Sequence, residues 1–246
     1  SERDVLLSTG EQMASALIAG KLCDLGFNSR SWMSWQIPII TRGNYSAARI
    51  IKIGTDQLNR YLKKGGTPII TGFQGLNKES RLTTLERGGS DASAIMLAKF
   101  FKAKRCIIYT DVDGVYTTDP NLTKKAKKIK ALSYEEMLEM SSLGAKVMQP
   151  ASIQDAKLNK VKIDVKSSFT NKIGTQIIGR KKIKDTNIIR GVSFTKNNAK
   201  VSLLGVKDKP GVAAAIFEPL YKNSINVDMV VQNISSNGKE TDLTFT

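Results

Sequence analysis

Apolar and polar positions alternate along the chain in blocks of helical and strand-like spacing. The stretch LLSTGEQMASALIAGKLCDLG (6–26) is rich in good helix formers and closes on glycine, which predicts a first helix. Short apolar runs at 49–53 and 67–73 predict strands, and the segment between them predicts a helix. A helix at 92–103 and a buried strand at 106–112 follow. Alternation of strands and helices predicts an α/β fold with a mainly parallel sheet.

The second half of the chain contains a clear sequence signal for the start of a helix. Ser133 and Glu136 have the spacing of a capping box, and Leu132 and Met137 have that of a hydrophobic staple. The stretch KVKIDVKSSF (160–169) alternates well enough to predict another strand.

After this strand the chain becomes basic and polar, and we place the boundary between two domains at about residues 178–187. The predicted domains are residues 1–182 and 183–246. The second domain has a strand, helix, strand pattern and the start of a third strand, so it resembles a small module that is not complete. Pro219 lies inside its predicted helix and is expected to kink it.

Composition narrows the class of protein. Hydrophobic residues make up 41% of the 246 residues, as in a globular core. Neither a signal peptide pattern nor an apolar run long enough to span a membrane is visible, so no membrane partner is expected. Two cysteines, Cys23 and Cys106, do not form a disulfide framework and favour a cytoplasmic location.

The charge balance is strongly basic: 38 Lys and Arg against 22 Asp and Glu give a net charge of +16. The basic runs at 124–130 and 180–184 carry no interleaved aromatic residues, so we interpret them as solvated surface and expect no nucleic-acid partner. Binding of nucleic acid through the net charge stays an alternative. The chain has no histidine, which excludes a histidine-based triad and a histidine-ligated metal site.

The segment LERGGSDASA (85–94) places an arginine, two glycines, a hydroxyl and a carboxylate at a predicted helix start. One interpretation is structural: Ser90 or Asp91 caps the helix, and the glycines form a turn. The other is chemical: backbone amides at the helix start bind an anion while Arg87 grips a carboxylate. The sequence leaves both open.

The segment YTDVDGVYTTDP (109–120) brings Asp111, Asp113 and Asp119 to the end of a predicted buried strand. Ligands of open α/β sheets bind at such ends, and three acids there suit a magnesium nucleotide or a ribose. An acidic surface turn is the alternative. Lys146 could clamp a phosphate or simply be solvated, and Glu11 could be an ordinary acid near a helix start.

Taken together, these segments resemble aspartate kinases of the amino-acid kinase family. The resemblance spans essentially the whole chain and rests on successive blocks in a fixed order. These blocks are STGEQMASAL, TGFQG, TTLERGGSDASA, YTDVDGVYTTDP, SLGAKVMQPAS and IGTQI. The later segments LLGVKDKPGVAAAIFEPL and INVDMVVQNIS resemble the family's first ACT module.

The resemblance implies a three-layer amino-acid kinase fold followed by a partial ferredoxin-like ACT module. It implies phosphorylation of the β-carboxylate of L-aspartate by ATP with Mg²⁺, the first step towards lysine, threonine and methionine, under feedback control through the ACT module. A cytoplasmic homodimer paired through ACT modules is expected, with lysine, threonine or both as effector.

The resemblance also assigns roles by matching position. Asp91 and Arg87 would be catalytic. Aspartate would contact Glu11, Arg87, Gly88, Gly89 and Ser90. ATP would lie against Thr110, Asp111, Tyr116, Thr117, Thr118, Asp119, Pro120, Ala145 and Lys146. The effector would bind Asp208, Gly211, Val212, Ala213, Asn226 and Asp228.

The sequence also departs from the family. The family's opening Lys-Phe/Tyr-Gly-Gly segment is not found here, and the sequence stops before the ACT module closes, so we expect both domains to be incomplete. We also expect these 246 residues alone to have little or no kinase activity. Glu86 stands where glycine is usual, and Gln149 where histidine is usual. Two alternatives remain: an amino-acid kinase for glutamate, acetylglutamate or UMP, and an inactive amino-acid sensor.

Overall fold

The computed structural model describes residues 1–145, 147–183, 189–194, 199–207, 209–223, 225, 227, 229–234 and 240–246. The chain forms two compact units, Ser1–Phe194 and Thr195–Thr246. Within these described residues, no helix combines the length and the apolar character needed to cross a membrane.

The first half of the larger unit is built around two small sheets. Its elements, in chain order, are α1 (Glu2–Asp24), β1 (Ser29–Trp32), β2 (Ile39–Arg42), β3 (Arg49–Ile53), α2 (Asp56–Lys63), β4 (Thr67–Ile70), β5 (Gln74–Leu76) and β6 (Leu82–Thr84). Strands β1 and β4 pair in parallel. The other sheet has the order β3-β2-β5-β6, in which β2 and β5 are parallel.

The second half of this unit contains a four-stranded sheet flanked by helices. Its elements are α3 (Gly89–Phe100), β7 (Cys106–Thr110), β8 (Ala131–Ser133), α4 (Tyr134–Ser142), α5 (Pro150–Asn159), β9 (Ile163–Ser167), β10 (Thr175–Ile178) and a short 3-10 turn, Arg180–Lys182. The strand order is β7-β9-β10-β8, with β7 parallel to β9 and β10 parallel to β8. The predicted α/β class, rich in parallel pairs, is therefore confirmed.

Two buried clusters hold the larger unit together. One joins α3, α4 and α5 to β7, β9 and β10 through fully buried residues such as Ile95, Ile153 and Ile163. The other packs α2 and α3 against the first-half strands around Ile39 and Leu58. Because α3 contributes to both clusters, its N-terminal end is held in a fixed position between the two halves.

The predicted capping box is present at the start of α4. The Ser133 hydroxyl accepts a hydrogen bond from the Glu136 N–H (3.1 Å), and the Glu136 carboxylate accepts one from the Ser133 N–H (2.8 Å). Leu132 and Met137, the predicted staple pair, are both fully buried.

The smaller unit consists of β11 (Val201–Lys207), α6 (Val212–Lys222), β12 (Val230–Ile234) and β13 (Glu240–Phe245). Its antiparallel sheet has the order β11-β13-β12, as the sequence pattern of strand, helix and two strands predicted. Phe217 of α6 packs edge-on against Phe245, with ring centroids 5.3 Å apart. Helix α6 continues through Pro219 to Lys222.

Candidate functional site

The RGGS turn, residues 87–90, leads directly into α3. Gly88 is the N-cap in the left-handed conformation, with φ 80°, and Gly89 is the first helical residue. Among the described residues, no side chain caps this helix with a hydrogen bond. Of the two interpretations of this segment, the one in which Ser90 or Asp91 caps the helix is therefore wrong. The first-turn N–H groups carry the positive end of the helix dipole, and they adjoin the exposed Arg87 and Ser90.

Close packing explains why the turn needs both glycines. A Cβ on Gly88 would lie 2.3 Å from Cγ of Gln149, and a Cβ on Gly89 would lie 2.7 Å from side-chain atoms of Leu85 and Phe73. The Ser152 hydroxyl donates to the Gly88 carbonyl (3.3 Å). The start of α5 therefore supports the turn from behind, and the Gln149 side chain packs against Gly88.

The segment after β4 forms a wall beside the RGGS turn. Gly72 approaches Ser90 so closely that a Cβ on Gly72 would lie 3.6 Å from the Ser90 Cα. The Phe73 N–H donates to the Ser93 hydroxyl (2.9 Å), which donates to the Gly89 carbonyl (2.8 Å). These bonds fix the TGF segment to the first turn of α3.

Helix α1 directs polar side chains towards this wall. The side-chain amide of the fully buried Gln74 accepts from Gln12 (3.0 Å) and donates to the Ser8 carbonyl (3.3 Å) and the Gly72 carbonyl (3.3 Å). Glu11 precedes Gln12 and is partly exposed. The role of Gln74 was not predicted, although the TGFQG block containing it was.

Asp4 is a second residue that the sequence analysis missed. Its fully buried carboxylate accepts hydrogen bonds from the N–H of Thr84 (2.7 Å), from the N–H and hydroxyl of Ser46 (2.9 Å each) and from the Ser1 hydroxyl (2.9 Å). Burial alone would raise the pKa of this carboxyl, but the bonds from Thr84, Ser46 and Ser1 lower it to about 2. Asp4 thus anchors the end of β6, three residues before Arg87.

Asp91 lies in the first turn of α3 and is half-buried. Burial raises the pKa of its carboxyl. Burial, together with the charges of Asp91 and Asp164, also raises the pKa of the Cys106 thiol to about 11. Asp91 therefore lies close enough to β7 to act on it electrostatically.

The acids at the end of β7 are largely engaged within their own loop. Asp113 accepts from the Tyr116 hydroxyl (2.7 Å) and from Lys128 (3.2 Å), and the Tyr116 bond, with help from Lys128, lowers its pKa. Asp111 accepts from the Thr110 hydroxyl (2.9 Å), and Asp119 accepts from the Asn121 N–H (2.8 Å). Asp111 and Asp119 are exposed.

In the rest of this loop, the backbone of Thr117 forms two hydrogen bonds. The Thr117 N–H donates to the Lys127 carbonyl (2.9 Å), and the Thr117 carbonyl accepts from the Val192 N–H (2.7 Å). Thr118 is half-buried and Pro120 is exposed. Within the described part of the chain, no group of three His, Cys, Asp or Glu residues is placed to hold a metal ion.

Several predicted residues lie away from these contacts or outside the described residues. Ala145 is half-buried and packs against the cluster that also holds Val115. In the smaller unit, Gly211 is the left-handed N-cap of α6, followed by Val212 and Ala213 in its first turn. The predicted residues outside the described part of the chain are Lys146, Asp208, Asn226 and Asp228.

Comparison with known proteins identifies the class. Residues 1–167 match the model of the amino acid kinase family, and residues 201–246 match an ACT domain. The chain belongs to the amino acid kinase family. Within it, the chain is similar to the aspartokinase of Helicobacter pylori strain J99, with 45% identity over 249 residues that cover 100% of this chain. The chain spans 61% of that relative's length.

Two solved structures extend the likeness. One is E. coli aspartokinase III in complex with aspartate and ADP in the R-state, with 29% identity and a TM-score of 0.79 over 98% of this chain and 54% of that one. The other is the same enzyme with lysine and aspartate in the T-state, with 28% identity and a TM-score of 0.76 over 99% of this chain and 55% of that one.

Proposed function

We propose that this protein is an aspartate kinase, which phosphorylates the β-carboxylate of L-aspartate with ATP to give 4-phospho-L-aspartate. Two findings support the substrate: the similarity to aspartokinases over the whole chain, and the likeness to an aspartokinase that binds aspartate and ADP. The product would enter the synthesis of lysine, threonine and methionine in the cytoplasm.

The observation that carries this proposal is the uncapped start of α3. Arg87 would bind a carboxylate of aspartate through two parallel hydrogen bonds, while the amides of the RGGS turn and the Ser90 hydroxyl bind the anionic substrate at the positive end of the helix. Glu11 would pair with the substrate ammonium. Asp91 would orient the reacting groups beside the turn.

The chemistry requires little from the protein beyond positioning. A β-carboxylate is already ionised near pH 7, so it can attack the γ-phosphate without a general base. This agrees with a chain that has no histidine. Phosphoryl transfer then depends on an in-line arrangement and on neutralisation of the charge on the transferred group.

ATP would bind beside the end of β7. We assign it to Thr110, Asp111, Tyr116, Thr117, Thr118, Asp119, Pro120, Ala145 and Lys146. Asp111 and Asp119 expose carboxylate oxygens there, whereas Asp113 is bound by Tyr116 and Lys128. The described residues do not form a three-acid cage for a metal ion, so Mg²⁺ would enter as part of the MgATP substrate.

Regulation would act through the ACT domain. Residues 1–182 would form the catalytic domain and residues 183–246 the regulatory one. Lysine, threonine or both would bind at Asp208, Gly211, Val212, Ala213, Asn226 and Asp228, in a homodimer paired through this domain. The lysine complex of the similar E. coli aspartokinase III supports an amino-acid effector.

The test is ADP formation by the protein expressed from its complete natural gene, with aspartate, glutamate and UMP as acceptors. We expect turnover with aspartate only. Arg87→Ala should raise KM for aspartate about 10- to 100-fold, as expected for a lost charge-assisted hydrogen bond, and leave KM for ATP within about twofold. Arg60→Ala, which removes an exposed arginine on α2, is the matched control.

Turnover with glutamate or UMP in place of aspartate would contradict the proposed substrate. An unchanged KM for aspartate in Arg87→Ala would contradict the role of the turn.

A further inference from the structure

The IGTQI segment (173–177) is a block of the sequence that the proposed substrate sites do not use. It contains Thr175, the first residue of β10, which is fully buried. Gly174 lets β10 begin close to β9, because a Cβ on Gly174 would overlap the Val165 carbonyl oxygen. A buried hydroxyl in a native fold is normally hydrogen-bonded, so the partners of Thr175 indicate what this segment does.

The Thr175 hydroxyl joins two segments of the chain. It accepts a hydrogen bond from the Val115 N–H (2.8 Å) and donates one to the Ile129 carbonyl (2.6 Å). Val115 belongs to the acidic loop (residues 109–120), and Ile129 belongs to the return segment (residues 127–130), which leads into β8. Because a hydroxyl has one donor and can also accept, this single side chain binds both segments at once.

The acidic loop and the return segment also bind each other. The Ile129 N–H donates to the Val115 carbonyl (2.8 Å), and the Thr117 N–H donates to the Lys127 carbonyl (2.9 Å). The two segments run antiparallel. Together they form a hairpin-like pair, and Thr175 attaches this pair to the four-stranded sheet.

Burial shows that this attachment is the base of the hairpin. From residue 111 to residue 130, the buried residues are Gly114, Val115 and Ile129. All three adjoin Thr175: two are its hydrogen-bond partners, and a Cβ on Gly114 would lie 2.7 Å from its hydroxyl oxygen. Residues 119–122, nearer the tip, are exposed. The position of this exposed part therefore depends on how firmly the buried base is held.

We propose that Thr175 is a positioning residue for the nucleotide, because its hydroxyl holds the acidic loop in the arrangement that binds ATP. The role rests on the proposed function, in which ATP lies against residues 116–119. Those residues directly follow Val115, so a displaced Val115 backbone would move all of them. Thr175 is buried beneath the loop, so it acts through the loop and not by contact with ATP.

Loss of the hydroxyl would leave the buried Val115 N–H and Ile129 carbonyl without this partner. Unpaired buried groups cost free energy, so the loop would shift towards arrangements in which these groups meet water. The apparent affinity for ATP would then fall with the fraction of molecules that keep the binding arrangement. Saturating ATP would restore that arrangement, and the RGGS turn is held by other contacts, so kcat and KM for aspartate would change little.

The kinetics of variants of the protein expressed from its complete natural gene test this role. Thr175→Val has nearly the same shape but no hydroxyl, and it should raise KM for ATP about 10-fold while kcat and KM for aspartate stay within about twofold. Thr175→Ser keeps the hydroxyl and should keep KM for ATP within about twofold of normal, although the lost methyl group lowers stability.

Gly114→Ala is a second variant, which disturbs the same contact from the side of the loop. Its methyl group would lie 2.7 Å from the Thr175 hydroxyl oxygen, so the base of the loop must shift. It should raise KM for ATP as Thr175→Val does, and it leaves β10 unchanged.

Thr41→Val is the matched control for the loss of a buried threonine hydroxyl. Thr41 is also buried, and its hydroxyl is hydrogen-bonded to that of Thr83 (2.6 Å) in the sheet of the first half. This variant should unfold at a lower urea concentration and keep the normal KM for ATP.

Hydrogen exchange measured by mass spectrometry follows the loop without any nucleotide. The peptide that contains Val115 should exchange about 10-fold faster in Thr175→Val and at nearly the normal rate in Thr175→Ser.

Two kinds of result would overturn this role of Thr175, and they can be told apart. In the first, the unmodified protein turns over aspartate, but KM for ATP is unchanged in Thr175→Val or Gly114→Ala, is equally high in Thr175→Ser, or rises as much in Thr41→Val. The proposed function then stands without this role. In the second, the unmodified protein does not bind MgATP in equilibrium dialysis, which contradicts the proposed function together with the role.

Discussion

The RGGS turn (87–90) and the acidic loop (109–120) both carry polar residues typical of a binding site, but the structure uses their polar groups differently. The first turn of α3 has no side-chain cap among the described residues, and its glycines are packed tightly from behind. In the acidic loop, Asp113, Asp111 and Asp119 each accept a hydrogen bond from a residue of the same half of the unit.

The difference shows that the number of charged residues in a segment does not indicate how well that segment can bind a ligand. The Asp113 carboxylate already accepts hydrogen bonds from a tyrosine and a lysine, so it has fewer acceptor sites left for a ligand. The first turn of α3, by contrast, has no side-chain cap among the described residues. The turn with fewer charges is therefore the better-prepared anion site.

The largest expected effect comes from Gly88→Ala. The new methyl group would lie 2.3 Å from Cγ of Gln149, so the turn or α5 must shift. Because a displacement of about 1 Å can cost ~100-fold in rate, we expect kcat/KM for aspartate to fall by about 100-fold. Steady-state kinetics measures this.

Gly26→Ala is the matched control for backbone strain. Gly26 is also left-handed, with φ 84°, but among the described residues nothing lies within 4 Å of its Cβ position. It should lose about 1–2 kcal/mol of unfolding free energy from strain and keep normal kinetics. If both variants lost the same amount of kcat/KM, close packing behind the RGGS turn would not be the cause of the loss.

Asp4→Asn tests the support of the RGGS turn from α1. The folded pKa of about 2 lies below the ordinary value of 3.8, so the ionised Asp4 stabilises the fold fully above 3.8 and loses this contribution as the pH falls through 2. We expect Asp4→Asn to lower the unfolding free energy by about 2 kcal/mol at pH 7 and to flatten its decline in acid.

Urea unfolding at pH 7 and at pH 3 measures both effects. The exposed Asp24, at the other end of α1, provides the control variant Asp24→Asn. An acid limb as steep in Asp4→Asn as in the unmodified protein would show that other carboxyls dominate.

The smallest effect is expected from Asp113→Asn in the acidic loop. Loss of the charge that binds Tyr116 and Lys128 should cost about 1 kcal/mol of unfolding free energy. KM for ATP should change less than in Asp119→Asn, whose carboxylate is exposed. A larger change in KM for Asp113→Asn would reverse the comparison between the two regions.

Local signals made much of the fold predictable. The capping box at Ser133, the strand at 49–53 and the strand–helix–strand–strand order of the second unit all follow from residues close in sequence. Strands β5 and β6 were not predicted, because three residues are too few to show a period.

The candidate site was predictable only in part. The composition of the RGGS turn was compatible with an anion site or with a capped turn, and only the structure shows that no side chain among the described residues caps the helix. The contacts of Asp4 with Thr84 and of Gln74 with Ser8 join residues more than sixty positions apart. Such contacts are fixed by tertiary packing and leave no periodic trace.

The two cysteines differ in a way that is useful in the laboratory. A thiol alkylating reagent attacks the thiolate, and the buried Cys106, with a pKa of about 11, has almost none at neutral pH. Cys23 is exposed. A maleimide dye should therefore attach once per folded chain, at Cys23, and a second attachment would report unfolding of the strand that holds Cys106.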